Sequence, residues 1–92
     1  VPTPPTPSRV TLYTRSGCHL CEAARDVVRE VCGTDWVELD VDDPAVRTGD
    51  GRPAAEVYGE LLPVLEVDGR RAGYWQIDAD LLVAAMNRSS TL

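Results

Sequence analysis

The apolar period of the chain changes twice within its first half, and that alternation restricts the fold more than any single residue does. RVTLYT (residues 9–14) alternates, with Val10 and Leu12 on one side and Thr11 and Tyr13 on the other, the period of a β-strand. From Leu20 the apolar residues fall instead at Leu20, Ala23, Ala24, Val27, Val28 and Val31, one stripe along a helix that Gly33 is placed to end. DWVELDVD (residues 35–42) returns to a period of two, with Val37, Leu39 and Val41 opposite Glu38, Asp40 and Asp42. Two strands joined through a helix run parallel with a right-handed crossover, so this half folds onto one sheet.

The second half supplies the other edge. Asp43-Pro44 and TGDGRP read as turns, followed by a short helix over Ala54 to Glu60 with Val57 and Tyr58 inward. PVLEVDGRRAGYW predicts a hairpin, with Val64 to Val67 as one strand, Asp68-Gly69 as a type I′ turn and Arg70 onward as the return. Asp78 is placed to cap a last helix. Ile77 and Leu82 form a hydrophobic staple across its start, Leu81, Leu82, Ala85 and Met86 face inward, and NRSSTL is expected to fray. The predicted architecture is α/β, a four-stranded mixed sheet flanked by helices. It occupies residues 9–92, and VPTPPTPS (residues 1–8), with four of the seven prolines, is expected to be a disordered tail.

Composition narrows the function classes. A net charge of −6, with nine arginines scattered and no lysine, offers no basic stripe for nucleic acid. No apolar run approaches the roughly 18 residues of a membrane span, and the N-terminus lacks the apolar centre of a signal peptide. A soluble, cytoplasmic protein is expected. The absence of lysine and phenylalanine beside abundant Arg, Ala, Val and Asp is what a GC-rich bacterial genome produces.

Three cysteines are an odd count, ill suited to a disulfide-stapled secreted module. SGCHLC (residues 16–21) puts Cys18 at the junction of the first strand and first helix, and Cys21 one turn into that helix. Free N–H groups and partial positive charge at a helix start favour thiolate over thiol, enough to bring a cysteine from about 8.5 to about 3.5–7.5. Cys18 is therefore the candidate nucleophile, and Cys21, three residues on, is within disulfide reach as the group that resolves a mixed disulfide. Arg15 and His19 flank Cys18. Either stabilises a thiolate if its charge points at the sulfur, although Arg15 equally suits a substrate carboxylate or a plain surface position, and His19 a solvated loop.

Zinc is the rival chemistry for a C-x-x-C pair. A closed site needs four ligands, and only His19 and Cys32 remain; Cys32 lies about 16 Å further along the helix. No metal site is expected within one chain, and Cys32 reads as a partly buried structural residue.

These features resemble the glutaredoxin and thioredoxin superfamily, and its glutaredoxin branch more closely. TLYTRSGCHLCEAA is similar to the family's strand, turn and C-x-x-C helix, LPVLEVDG to the segment with its cis-proline, and GRRAG to the strand leading to its glycine pair. The resemblance covers Arg9 to about Asn87 and implies a thioredoxin-like fold and a dithiol–disulfide oxidoreductase of cell redox homeostasis. It implies a cis bond between Leu62 and Pro63 beside the dithiol, with backbone left to pair with an extended disulfide substrate, protein or small thiol. It also implies no bound organic cofactor, with glutathione or another low-molecular-weight thiol as co-substrate; a monomer is expected.

The chain departs from the family in two places. Where glutaredoxins carry Pro-Tyr, it has His19 and Leu20, and a protonated His19 would favour the reduced thiolate and make the disulfide a stronger oxidant. Gly73 keeps the first glycine position, but Tyr74 and Trp75 follow, and Asp78 comes later than the family's acidic helix start. Gln76 and Asp78 remain candidates for the substrate groove. Tyr74 and Trp75 either cover that groove or pack against the last helix, the second being the expectation. The reading from another class is a binding protein, which carries an iron–sulfur cluster shared between subunits or offers the Pro63 edge to a partner.

Overall fold

The computed structural model describes residues 9–90, and the proline-rich segment 1–8 lies outside them. Seven elements follow in order: β1 (Val10–Thr14), α1 (His19–Cys32), β2 (Val37–Asp40), α2 (Ala54–Tyr58), β3 (Val64–Val67), β4 (Arg70–Tyr74) and α3 (Ala79–Ser90). The sheet has the order β2-β1-β3-β4. β1 runs parallel to β2, as a crossover through α1 requires, and antiparallel to β3, which pairs antiparallel with β4.

Alternation along the two central strands divides the core between the sheet's faces. Val10, Leu12, Leu65 and Val67 pack against Ala24 and Val28 of α1 and Leu82 and Ala85 of α3. Tyr13 and Val64 face the other way, onto Val41, Ala54 and Tyr58. Apolar burial on both faces supplies the main driving force, about 1.5–3 kcal/mol for each fully buried Leu or Val.

Local signals act as expected at the hairpin and at α3. Asp68 (φ +53°) and Gly69 (φ +81°) take the two left-handed positions of the turn. The Asp78 carboxylate accepts the Leu81 N–H at 2.7 Å, and Ile77 and Leu82 are both in the core behind it.

Other boundaries differ. α2 stops at Tyr58 rather than Glu60, where the Gly59 N–H donates to the Ala55 carbonyl at 3.1 Å. Of NRSSTL, residues 87–90 do not fray but continue α3, since no glycine or proline interrupts it, and residues 91–92 lie outside the described residues. The buried row of α1 is Cys21, Ala24 and Val28; Ala23 is exposed, and so is Leu20, by 51 %. Successive helical residues are about 100° apart, so a row that begins at Cys21 turns Leu20 off the core.

A partly buried ion pair ties α1 to β2. Arg25 donates to both oxygens of Glu38 at 2.7 and 2.6 Å, and the Thr14 hydroxyl donates to one of them at 2.8 Å. Hydrogen bonds from Arg25, and secondarily from Thr14, hold the Glu38 carboxyl below its ordinary value against the opposing effect of burial. A carboxyl lowered by folding contributes stability that is present above its unfolded value and lost as pH falls through the folded one. Glu38→Gln is therefore expected to flatten the acid limb of stability, read as urea midpoints between about pH 6 and about pH 3. An unchanged pH dependence would contradict this role.

Candidate functional site

The cysteine pair sits where the β1-to-α1 turn delivers it. Cys18 is the N-cap of α1, with extended backbone (φ −92°, ψ 110°), and its Sγ accepts the Cys21 N–H at 3.2 Å. The two sulfurs are joined as a disulfide, with Cα atoms 5.2 Å apart. Their environments differ: Cys18 is half-buried, whereas Cys21 is fully enclosed. A partner thiol or disulfide thus meets Cys18 first, and Cys21 lies behind it.

Neither flanking residue has Cys18 among its hydrogen-bond or ion-pair partners. Arg15 donates from Nε and Nη2 to the two Asp42 oxygens, both at 3.0 Å, and from Nη1 to the Gly59 carbonyl at 3.2 Å. It braces the turn ahead of Cys18 to the end of β2 and to the segment leading to Pro63. The His19 side chain is 97 % exposed, with Nδ1 3.9 Å from Glu22.

Leu62 and Pro63 are joined by a cis peptide bond, as the resemblance implies. Pro63 is buried, and neither the N–H nor the C=O of Leu62 has a hydrogen-bond partner among the described residues. Leu62 lines an open groove of about 540 Å³ with Leu20, Tyr74, Trp75 and Gln76. Leu20, turned off the core, therefore belongs to this groove.

Tyr74 and Trp75 are exposed by 44 % and 54 % and border the groove, which corrects the expectation that they pack against α3. A register shift between Leu65 and Glu66 leaves Tyr74 opposite Val64, on the face away from α3. Trp75 adopts φ +64°, a conformation costing a bulky residue on the order of 1–3 kcal/mol. Its backbone N–H, shared between the Pro63 and Leu61 carbonyls at 2.9 and 3.2 Å, and its indole N–H, on the Glu60 carbonyl at 3.3 Å, hold it there. The Tyr74 and Trp75 rings meet edge to face at 5.4 Å, and the Arg71 guanidinium lies 5.4 Å from the Tyr74 ring centroid.

Gly73 and Asp78, both candidates by resemblance, have definite packing roles. A Cβ on Gly73 would stand 3.0 Å from both Leu81 methyl carbons and 3.5 Å from Ile77 Cδ1, so the glycine lets α3 close on β4. Gly73→Ala is expected to cost about 1–3 kcal/mol in chemical denaturation; no loss would mean that Leu81 moves aside freely. Asp78 caps α3, as described above. Gln76 alone of the more distal candidates faces the groove.

Among the described residues, no group of three or more His, Cys, Asp or Glu side chains is arranged to hold a metal ion. Cys32 is half-buried at the end of α1 against the core, and burial raises its thiol pKa. No described helix is long and apolar enough to cross a membrane.

The chain is similar to known proteins in sequence and fold. The uncharacterized protein Rv0508 of Mycobacterium tuberculosis is 38% identical over 85 residues, covering 89% of this chain and 86% of that one. The crystal structure of protein XcR50 from X. campestris superposes with a TM-score of 0.66 at 30% identity, over 86% of this chain and 96% of that one. Oxidized glutaredoxin 2 from Chlamydomonas reinhardtii shares the fold, with a TM-score of 0.54 at 16% identity over 89% of this chain and 74% of its own. Residues 9–87, which carry the dithiol, the cis-proline and the hairpin, match the Glutaredoxin-like domain (DUF836), and the chain belongs to that family.

Proposed function

We propose that the protein is a dithiol–disulfide oxidoreductase with Cys18 as nucleophile and Cys21 as resolving thiol. The observation that carries this reading is the pair's asymmetry, an accessible sulfur at a helix N-cap with its disulfide partner enclosed behind it. In the reduced protein, the Cys21 N–H and the start of α1 favour the Cys18 thiolate. That thiolate attacks one sulfur of a disulfide R–S–S–R′, forming Cys18–S–S–R and expelling R′S⁻. Cys21 gives up its proton and attacks Cys18 Sγ, forming the Cys18–Cys21 disulfide and releasing RS⁻. Two electrons pass from the dithiol to the substrate, whose two thiolates take up protons from water. Glutathione, another low-molecular-weight thiol or a dithiol reductase returns the pair to its reduced form by the same exchange.

Leu62 supports this chemistry with its unpaired backbone groups, which suit an extended segment laid beside the dithiol. The cycle needs no bound organic cofactor and no second subunit, and it fits the reducing cytoplasm. The test uses the full chain, reduced with dithiothreitol, freed of reductant and mixed with hydroxyethyl disulfide. Loss of two protein thiols, with the Cys18–Cys21 disulfide as product, is expected. A rate no higher than that of free cysteine at equal concentration overturns the reading.

A further inference from the structure

We infer that the substrate is an extended polypeptide with a bulky apolar or aromatic side chain within two positions of its cysteine, and that Leu20, Leu62, Tyr74 and Trp75 receive that side chain. The inference rests on the exchange reading above and names its substrate class.

Leu20, two residues after Cys18, lines the groove and so sets one of its walls at the start of α1. Among the described residues, Leu20, Tyr74 and Trp75 are three of the five large apolar side chains that stand exposed, and all three converge here. None of the five lining residues is an Asp, Glu, Lys, Arg or His. Its volume of about 540 Å³ lies within the usual range of about 300–1,000 Å³ for binding pockets. The left-handed backbone of Trp75 is held by three hydrogen bonds to carbonyls of the Glu60–Pro63 segment, and the indole stays outside the core.

The backbone beside the groove suits a peptide. Leu62 offers an N–H and a C=O that no described residue uses, the pair an added strand engages, and strand side chains recur on one face every second residue. A small thiol with carboxylates finds the opposite: Arg15, the cation in the turn before Cys18, is already held by both Asp42 oxygens and by Gly59. Asp42 thereby biases the site against carboxylate-bearing disulfides.

The test compares three substrates of the reduced full chain: a peptide with Trp two residues from its cysteine, the same peptide with Ser in place of Trp, each as its mixed disulfide with mercaptoethanol, and glutathione disulfide. The Trp peptide is expected to lead the other two in kcat/KM by about tenfold or more. Trp75→Ala and, separately, Leu20→Ser bring the Trp-to-Ser ratio close to one, and Trp75→Phe restores most of it. Leu20 is exposed on a helix, so its variant serves even where Trp75→Ala fails to fold. Asp42→Asn, which removes the negative charge paired with Arg15, raises glutathione disulfide relative to the Trp peptide. Similar kcat/KM for all three substrates, or a Trp-to-Ser ratio that neither groove variant lowers, overturns the inference while leaving the exchange reading intact. Failure with all three overturns the exchange reading, and the inference with it.

Discussion

Cys18→Ser is expected to lower disulfide exchange by on the order of a thousandfold or more, to the level of the uncatalysed reaction, because a serine hydroxyl does not ionise near neutral pH. Cys21→Ser has a different effect. Its Cys18 still attacks, but with no resolving thiol the protein accumulates as a mixed disulfide, visible by mass spectrometry and reversed by dithiothreitol. The asymmetry follows from burial: Cys21 is enclosed by the core, while Cys18 opens to solvent at the helix start. In the reduced wild type, iodoacetamide should label Cys18 well before Cys21, even below about pH 7, where an ordinary thiol is nearly unreactive. Equal labelling of the two, or a mixed disulfide trapped on Cys21 in Cys18→Ser, would remove the assignment of roles.

Glu66→Ala is expected to destabilise the fold by about 3 kcal/mol or more, a fall in Tm of about 12–24 °C for a domain of this size. Glu66 is buried in β3, where it accepts the Tyr58 hydroxyl at 2.6 Å, the Gly49 N–H at 3.1 Å and, at 3.1 Å, the Tyr13 hydroxyl, which is shared with the Arg47 carbonyl at 2.9 Å. Those three donors bring β1, α2 and the Gly49 loop onto one carboxylate. Burial, with the neighbouring carboxylate, raises the pKa of both phenols well above the ordinary value, so they remain donors beyond the pH at which an ordinary phenol ionises. Alanine leaves the buried Tyr58 hydroxyl without its acceptor, releases the exposed Gly49 loop and opens a cavity, and a buried unpaired group is costly. Glu66→Gln keeps the volume and one acceptor oxygen, at a cost of about 1 kcal/mol. Urea unfolding compares the two, and hydrogen exchange at Gly49 reports whether its loop loosens. Equal stability of the Ala and Gln variants would show that the carboxylate does not organise this region.

Much of the molecule was legible from short stretches. The strand-helix-strand alternation, the Asp68-Gly69 turn, the Asp78 cap and the position of Cys18 at a helix start depend on residues within a turn or two of one another. Their physics is local: side-chain period, a left-handed backbone position, an acceptor for a free N–H. Resemblance added the Leu62-Pro63 cis bond, which periodicity does not reveal.

The rest depends on elements that meet only after folding. Arg15 and Asp42 are 27 residues apart, and they come together because parallel pairing of β1 with β2 brings the ends of both strands to the same edge. The side from which Tyr74 and Trp75 enter the groove is set by a register shift in the β3-β4 pair, and one residue of shift exchanges the faces. Glu66 stays buried because its face of the sheet is covered and three remote donors converge on it. Short-range chemistry in the sequence thus specified the elements and the cysteine pair at a helix start. The groove that Leu20 enters, and the pairing of Arg15 with Asp42, arose from long-range register and packing, because the groups involved lie far apart along the chain.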